Sequence, residues 1–526
     1  MLHALMELLR SQEGDRTKAL RAVGASAERE VREALAEYDA FVPEARVIRE
    51  GLLLGTARSS AGEEIAIRLP WGAEYAHWLI QGGTGTGKTT WVSSLLEQQL
   101  RAGRPFGVLD CKGDLYRAAL ASVAKMASSQ DARRHEAFEK RAVVVNPFSD
   151  RLVPLNVCRP MPGASPESQA YEVTLALSRL FDRSLGLHME NILRHLLLLL
   201  MEAELSLVEA PDVLEDEVLR GVLASRSANR EVKRFFLGTY EAIPQVSKDA
   251  LLSRLQGLLL PENLRLMLGA DGLLDLRRVL EEGHYLLVFL GKGPGVPEEQ
   301  VEILGSLFLQ LLLQAAYSRG SGARGGYLLA ADEFFHLLDA PGLAKRFETA
   351  LTTVRSFGLS LMLIHHNLAQ LPAKLREIVL GNSDLVALFR TSGRNAEHLG
   401  DFLPDVEPEA LAEALAKGRE LGRDRKKNLE SLQRLPDRHC YWYDRRKPYR
   451  ALKLSVPDIS VSEMAKEESM VLGYAALPRS ELRAQVEARR QRLRDLIRPK
   501  INLSSREKSN PAGASAAKKS GRPKLG

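Results

Sequence analysis

Residues Gly82 to Thr89, "GGTGTGKT", carry the spacing G-x-x-x-x-G-K-[ST] of a P-loop. A phosphate chain needs several backbone N–H groups turned inward around a tight loop. Glycine permits both the backbone angles and the close approach. Gly82, Gly83, Gly85 and Gly87, with Thr84 and Thr86 between them, can supply that cradle. A helix starting near Lys88 would turn its free N–H groups and the positive end of its dipole towards the anion. In this reading Lys88 puts a positive charge on the β- and γ-phosphates of ATP, Thr89 offers a hydroxyl to Mg2+, and Thr90 completes the phosphate-binding turn. The apolar "AHWLI" precedes the loop as a strand and "TTWVSSLLEQQL" follows it as a helix.

A P-loop says nucleotide and leaves the reaction open. The second half of such a site is an acidic pair at the end of another strand, and "YLLAADEFFHL" provides one. Asp332 suits the Mg2+ shell, and Glu333 can orient and deprotonate an attacking water. An adjacent glutamate of this kind belongs to hydrolytic motors more than to switch GTPases. Two stretches flank this core. "VLDCKGDLYRAAL" puts Asp110, Lys112 and Asp114 at a strand-to-helix turn, where Asp114 reads at least as well as a helix cap. "TTVRSFGLSLMLIHHNLAQL" carries Arg355 before a strand and His365, His366 and Asn367 after it. A lone arginine is usually a surface residue, but ring motors offer an arginine to the neighbouring subunit's γ-phosphate. The two histidines show no third metal ligand in the sequence, so zinc is not expected there.

The elements that must position these residues are short buried strands. "AHWLI" (76–80), "FGVLD" (106–110), "AVVVN" (142–146), "HYLLVFLG" (284–291), "YLLAAD" (327–332), "LSLMLI" (359–364) and "LVALF" (385–389) are apolar runs separated in many cases by helical stretches. That is the pattern of an α/β fold with a mostly parallel central sheet covered on both faces. Residues 46–75 read as short strands around turns, a small β layer ahead of the loop. From Glu167 to Leu280 the chain is Leu-rich, helical and poor in β-branched residues, as expected of an inserted all-α domain. The expected organisation is a helical segment at 1–45, an ATPase domain at 46–163 and 281–455, the all-α domain at 164–280, a helical segment at 456–503 and a disordered basic tail at 504–526.

The composition is that of a soluble globular chain: 526 residues, 45% hydrophobic and 27% charged. Cys111, Cys158 and Cys440 are scattered, which suits a reducing cytosol and gives no disulfide or metal framework. Apolar runs such as Leu196 to Met201 fall far short of the roughly 18 residues of a membrane span. The N-terminus turns charged too early for a signal peptide. A cytoplasmic location is expected. The net charge of +6 is uneven: residues 417–453 carry +8 and residues 501–526 carry +5. A basic end on an acidic body fits a polyanion contact, although a solvated surface explains it equally well. Within that region "RHCYWYDRRKPYR" (438–450) interleaves aromatic and basic groups; a final strand with a solvated face is favoured over a base-stacking platform.

Taken in order, "HWLIQGGTGTGKTT", "VLDCKGDL", "LLAADEFFHL", "TTVRSFGLSLMLIHHNLAQL" and "LGNSDLVALFRTSGRNAEHL" resemble the type IV secretion coupling proteins, the TraG/TraD-like conjugation ATPases of the FtsK/HerA superfamily. The resemblance covers roughly residues 46–455. It implies a RecA-like P-loop motor domain with an inserted all-α domain, assembled as a homo-hexameric ring that moves DNA at the expense of ATP. Lys88 and Thr89 match the P-loop pair, Asp332 and Glu333 the acidic motif, and Arg355 the arginine offered in trans. Relaxase or secretion-channel proteins are the implied partners. Two departures stand out. The family commonly carries N-terminal membrane helices; none is expected from this sequence, so attachment to the inner membrane would run through a partner. The family commonly ends its sensor strand with glutamine, where this sequence has "HHN". A HerA/FtsK-like duplex DNA motor of repair, segregation or defence is the first alternative, and a nucleotide-dependent docking module of a secretion system the second.

Overall fold

The computed structural model describes residues 47–59, 63–127, 141–177, 186–293, 296–322, 325–338, 341–391, 393–399, 430–447, 451–457 and 475–507, with positions 29 and 36. The expectations for nearly all of 1–45, for the basic run up to residue 429 and for the tail beyond residue 507 lie outside the described residues.

Thirteen strands are named in chain order: β1 (Leu52–Arg58), β2 (Glu64–Leu69), β3 (Trp78–Gln81), β4 (Phe106–Asp110), β5 (Ala142–Val145), β6 (Arg151–Leu152), β7 (Tyr285–Phe289), β8 (Tyr327–Asp332), β9 (Leu359–His365), β10 (Leu385–Phe389), β11 (His439–Asp444), β12 (Leu452–Ser455) and β13 (Leu477–Pro478). Eleven of them form one sheet in the order β2-β1-β12-β11-β10-β3-β9-β8-β4-β7-β5. All pairs from β10 to β5 are parallel. These seven strands are the seven apolar runs of the sequence. Each is buried on both faces, as crossover connections require.

The helices α1 (Lys88–Arg101) and α2 (Asp114–Ala127) pack on one face. There Trp91, Leu95 and Leu115 meet Trp78, Ile80 and Val108. The other face holds α3 (Pro166–Leu177), α4 (Leu187–Glu202), α5 (Gln245–Leu259) and α6 (Glu298–Ser318) among shorter helices. The neighbouring strand positions Leu79, Leu109 and Val143 feed that second core. Alternation along each strand thus divides consecutive residues between two cores. By length and composition α6 alone among the described helices could cross a bilayer, but 78% of its apolar window is buried inside the fold. The C-terminal helix α7 (Arg479–Glu507) docks on the helical layer through Arg489, whose Nε lies 3.0 Å from the buried Glu209.

Two sequence expectations change. The strands at 46–75 are no separate layer: β1 and β2 continue the main sheet through antiparallel β12 and β11. The 438–450 stretch does supply a strand, β11, but its face is not solvated. Cys440, Tyr441 and Trp442 are core residues, and rings buried to 1% exposure cannot stack on bases. Trp442 instead joins Trp78 (5.2 Å between centroids) and Trp91 (6.2 Å), with Phe389 against Trp91. Trp91 Nε1 donates to Leu54 O at 2.7 Å. This aromatic knot ties α1 to β3, β10, β11 and β1. It therefore fixes the loop between β3 and α1.

Candidate nucleotide site at the strand ends

The loop from Gly82 to Gly87 leaves β3 at its C-terminal end and enters α1 at Lys88. Its glycines have distinct duties. A Cβ at Gly82 would sit 2.5 Å from Phe389 Cβ on the next strand, so β3 and β10 approach this closely only without one. Gly85 and Gly87 take φ of +77° and +101°, in the left-handed region that a side chain disfavours. The loop is braced from outside: Gly83 N–H donates to Arg390 O at 2.7 Å, and Arg438 N–H donates to Thr86 O at 3.0 Å. Thr86 Oγ1 donates to Gly83 O at 2.9 Å. Arg438, grouped by the sequence with a nucleic-acid stretch, thus serves the loop with its backbone.

Gly87 starts α1 without a side-chain cap, and the first turn holds no acidic residue. The free N–H groups of that turn are an anion site by construction. Thr84 and Gly85 are exposed at the loop tip, while Thr89 and Thr90 are half-buried in the first turn. Lys88 is buried, and its Nζ donates to Gly82 O at 2.6 Å and Gly83 O at 2.7 Å. Burial lowers its pKa; Asp332 and Glu333 act in the opposite sense.

β9 lies between β3 and β8, so the acidic pair ends two strands away on the same rim of the sheet. Asp332 is directly opposite Asp110 in the β4–β8 register. Burial, Asp110 and Glu333 together push the Asp332 carboxyl up to about 7, against the pull of Lys112 and Lys88. Asp110 is committed to its own turn: it accepts from Lys112 N (2.7 Å), Gly113 N (2.8 Å) and Tyr116 N (2.8 Å). Asp110, and not Asp114, therefore caps α2; Asp114 is exposed and pairs with Arg117 at 2.5 Å.

Glu333 is the most constrained group in the site. It takes φ +52° although it is not glycine, and its N–H donates to Ile364 O at 3.0 Å. The carboxylate is 1% exposed. Its Oε2 accepts from His365 Nδ1 at 2.7 Å, and its Oε1 accepts from His366 Nδ1 at 2.6 Å and Lys112 Nζ at 2.6 Å. Burial alone would raise its pKa, but bonds from His365, Lys112 and His366 hold it well below the usual carboxylate range. His365 Nε2 contacts Asn367 O at 2.7 Å, and buried Gln81 at the end of β3 donates to His366 O at 2.9 Å.

The third metal-type ligand that the sequence does not show beside the histidines is Glu333, with donor atoms within 4.8 Å of one another. The Lys112 ammonium occupies the cation's place on that carboxylate, and hydrogen bonding accounts for the cluster. The sequence places Lys112 at the strand-to-helix turn beside Asp110 without a role; the structure puts its ammonium on Glu333.

The structure brings Lys88, Asp332, Glu333, His365 and His366 to one rim, with Thr89 and Thr90 on the adjoining turn. Arg355 is not among them. It lies in a single helical turn before β9, and its guanidinium pairs with Asp384 just ahead of β10. The seven residues of β9 separate it from the His365 end by roughly 20 Å.

Comparison with known proteins adds one family match and three similar structures. Residues 63–160 match the family model described as the type IV secretion-system coupling protein DNA-binding domain. The fold is similar to the bacterial conjugative coupling protein TrwBdeltaN70 in its unbound form: TM-score 0.50, 17% identity, over 80% of this chain and 92% of that one. It is equally similar to plasmid coupling protein TrwB in complex with ADP and Mg2+ (TM-score 0.50, 18% identity, 80% and 92% coverage). VirB4 of Thermoanaerobacter pseudethanolicus also matches at TM-score 0.50, with 13% identity over 80% of this chain and 98% of that one. A search of curated proteins by sequence finds no match. The resemblance to type IV secretion coupling proteins is thus shown, by that family's model over residues 63–160 and by a RecA-like P-loop fold shared across most of the chain.

Proposed function

We propose that the chain is an ATP-hydrolysing motor of type IV secretion, acting on DNA as a ring of identical subunits. The observation that carries this reading is the meeting of Lys88 with the Asp332–Glu333 pair on one rim of one sheet. The match of residues 63–160 to a coupling-protein DNA-binding domain supports DNA as the cargo. Plasmid coupling protein TrwB, which shares the fold and is known in complex with ADP and Mg2+, supports the choice of ligands. A cytoplasmic position, joined to the inner membrane through a partner protein, completes the proposal.

The residues fit a divalent cation. Asp332 and Asp110 are adjacent buried carboxylates, and the crowding that raises Asp332 is the crowding a cation relieves. Asp332 and the Thr89 hydroxyl would hold Mg2+, which supplies charge neutralisation on the phosphates. Lys88 would carry the β- and γ-phosphates against the α1 N-terminus. Glu333, fixed in backbone and side chain, would orient the attacking water and take its proton. Arg355 would serve the site of a neighbouring subunit.

The test is hydrolysis by the full chain with no DNA, single strands or duplex, alongside native mass measurement. DNA should stimulate turnover, with steep salt dependence. Glu333→Gln should lower kcat by about 100- to 10,000-fold while nucleotide binding persists. Turnover indifferent to DNA in an assembled ring would remove the DNA part. A Glu333→Gln variant that keeps its function would point to the docking module instead.

A further inference from the structure

The nucleotide-hydrolysis reading above leaves one difficulty, and the inference rests on that reading. Glu333 has both oxygens engaged: His365 on Oε2, His366 and Lys112 on Oε1. Both acceptor positions of Oε1 are thus taken, and the carboxylate is 1% exposed, so water has little access to it. Departure of one donor from Oε1 would open that oxygen to water. His365 is 0% exposed and held at its second nitrogen by Asn367 O. His366 follows it directly, with its carbonyl held by Gln81. The His366 ring, on a short stem, is 32% exposed; Lys112 differs from both histidines in the length and flexibility of its stem. Its backbone is anchored by Asp110, but its side chain is 45% exposed on a flexible four-carbon stem. Lys88 lies close enough to Lys112 to feel its charge. An anion held by Lys88 therefore attracts Lys112 as well.

We propose that Lys112 is a positioning residue responsive to the terminal phosphate. It latches Glu333 Oε1 until a nucleoside triphosphate binds, then transfers its ammonium to the γ-phosphate and leaves that oxygen to the attacking water. A diphosphate gives it nothing to move to. The base is thereby armed by the triphosphate alone.

The experiment titrates the full chain, as wild type, Lys112→Met and Lys112→Arg, with Mg2+ plus ADP and with Mg2+ plus the non-hydrolysable ATP analogue ADPNP. Lys112→Met should weaken ADPNP about ten- to a hundredfold, the weight of one charge-assisted hydrogen bond, and leave ADP unchanged. Lys112→Arg should recover part of the ADPNP affinity. Equal weakening of both ligands, or of neither, overturns the latch. If wild type binds and hydrolyses ATP while Lys112→Met keeps its full preference for ADPNP over ADP, the latch alone fails. If wild type binds neither nucleotide, the hydrolysis reading fails with it.

Discussion

Asp332 gives the site a pH signature that can be measured without any substrate. Its carboxyl is buried beside Asp110 and Glu333, which raises its pKa from 3.8 to about 7 against Lys112 and Lys88. The sign follows from linkage. A group raised on folding contributes its full stability below the unfolded value and loses it as pH climbs through the folded value. At about 1.4 kcal/mol per pH unit, the full loss is about 4 kcal/mol. Between pH 5 and 8 wild type should lose roughly 3 kcal/mol of it. Asparagine at 332 cannot ionise, so Asp332→Asn should escape this part, and contributions common to both proteins cancel in the difference. Calorimetry at the two pH values reads it. The gap in melting temperature between variant and wild type should widen by about 3 °C from pH 5 to pH 8, in favour of the variant, given an unfolding entropy of about 1.1 kcal/mol/K for a chain of this length. A gap that stays constant across that range would refute the picture of a crowded carboxylate awaiting a cation.

Two further outcomes follow from the geometry. Gly82→Ala must push β3 from β10, because the new Cβ would lie 2.5 Å from Phe389 Cβ and 3.2 Å from its Cα; a loss of about 1–3 kcal/mol with weakened ADP binding is expected, and an unchanged melting temperature would contradict it. Arg355→Ala should leave nucleotide affinity intact and slow hydrolysis by about 1,000-fold or more, and mixing it with Glu333→Gln subunits should restore part of the rate. Mixed assemblies that form yet stay inactive would reject an arginine supplied in trans.

Much of this fold is legible in the sequence because parallel strands buried on both faces leave a simple mark, a short apolar run between helices. The P-loop is legible because its chemistry is local: glycines, lysine and hydroxyl lie within eight residues. What the sequence hides is what depends on strand order. Lys112 meets Glu333 across 221 positions, and His365 and His366 meet it across 32 and 33. The antiparallel flank is obscured for another reason. In β11 the basic residues and Tyr–Trp–Tyr suggest a surface, but Trp442 and Tyr441 point to opposite cores while Arg445 and Arg446 lie past the strand's end. Asp110 and Asp114 are equally good caps by residue type; the N–H bonds that Asp110 accepts from Lys112, Gly113 and Tyr116 decide between them.

The order of the strands also explains why one rim collects all the chemistry. Parallel strands deliver their C-terminal ends to the same edge, and here the sequence β10-β3-β9-β8-β4 places Arg390, the P-loop, the histidines, the acidic pair and Lys112 side by side. Lys112, at the β4 end of this line, is half-exposed and reaches across to Glu333 on β8, which is what a movable member of the site requires. Arg355 stands at the start of β9, so the same parallel geometry keeps it from the phosphate loop of its own subunit. For it to reach a γ-phosphate, a second copy must present its lower rim to the first copy's upper one. A head-to-tail contact of that kind closes into a ring when its rotation permits. The separation of Arg355 from Lys88 within one chain is therefore the feature that would make hydrolysis depend on assembly.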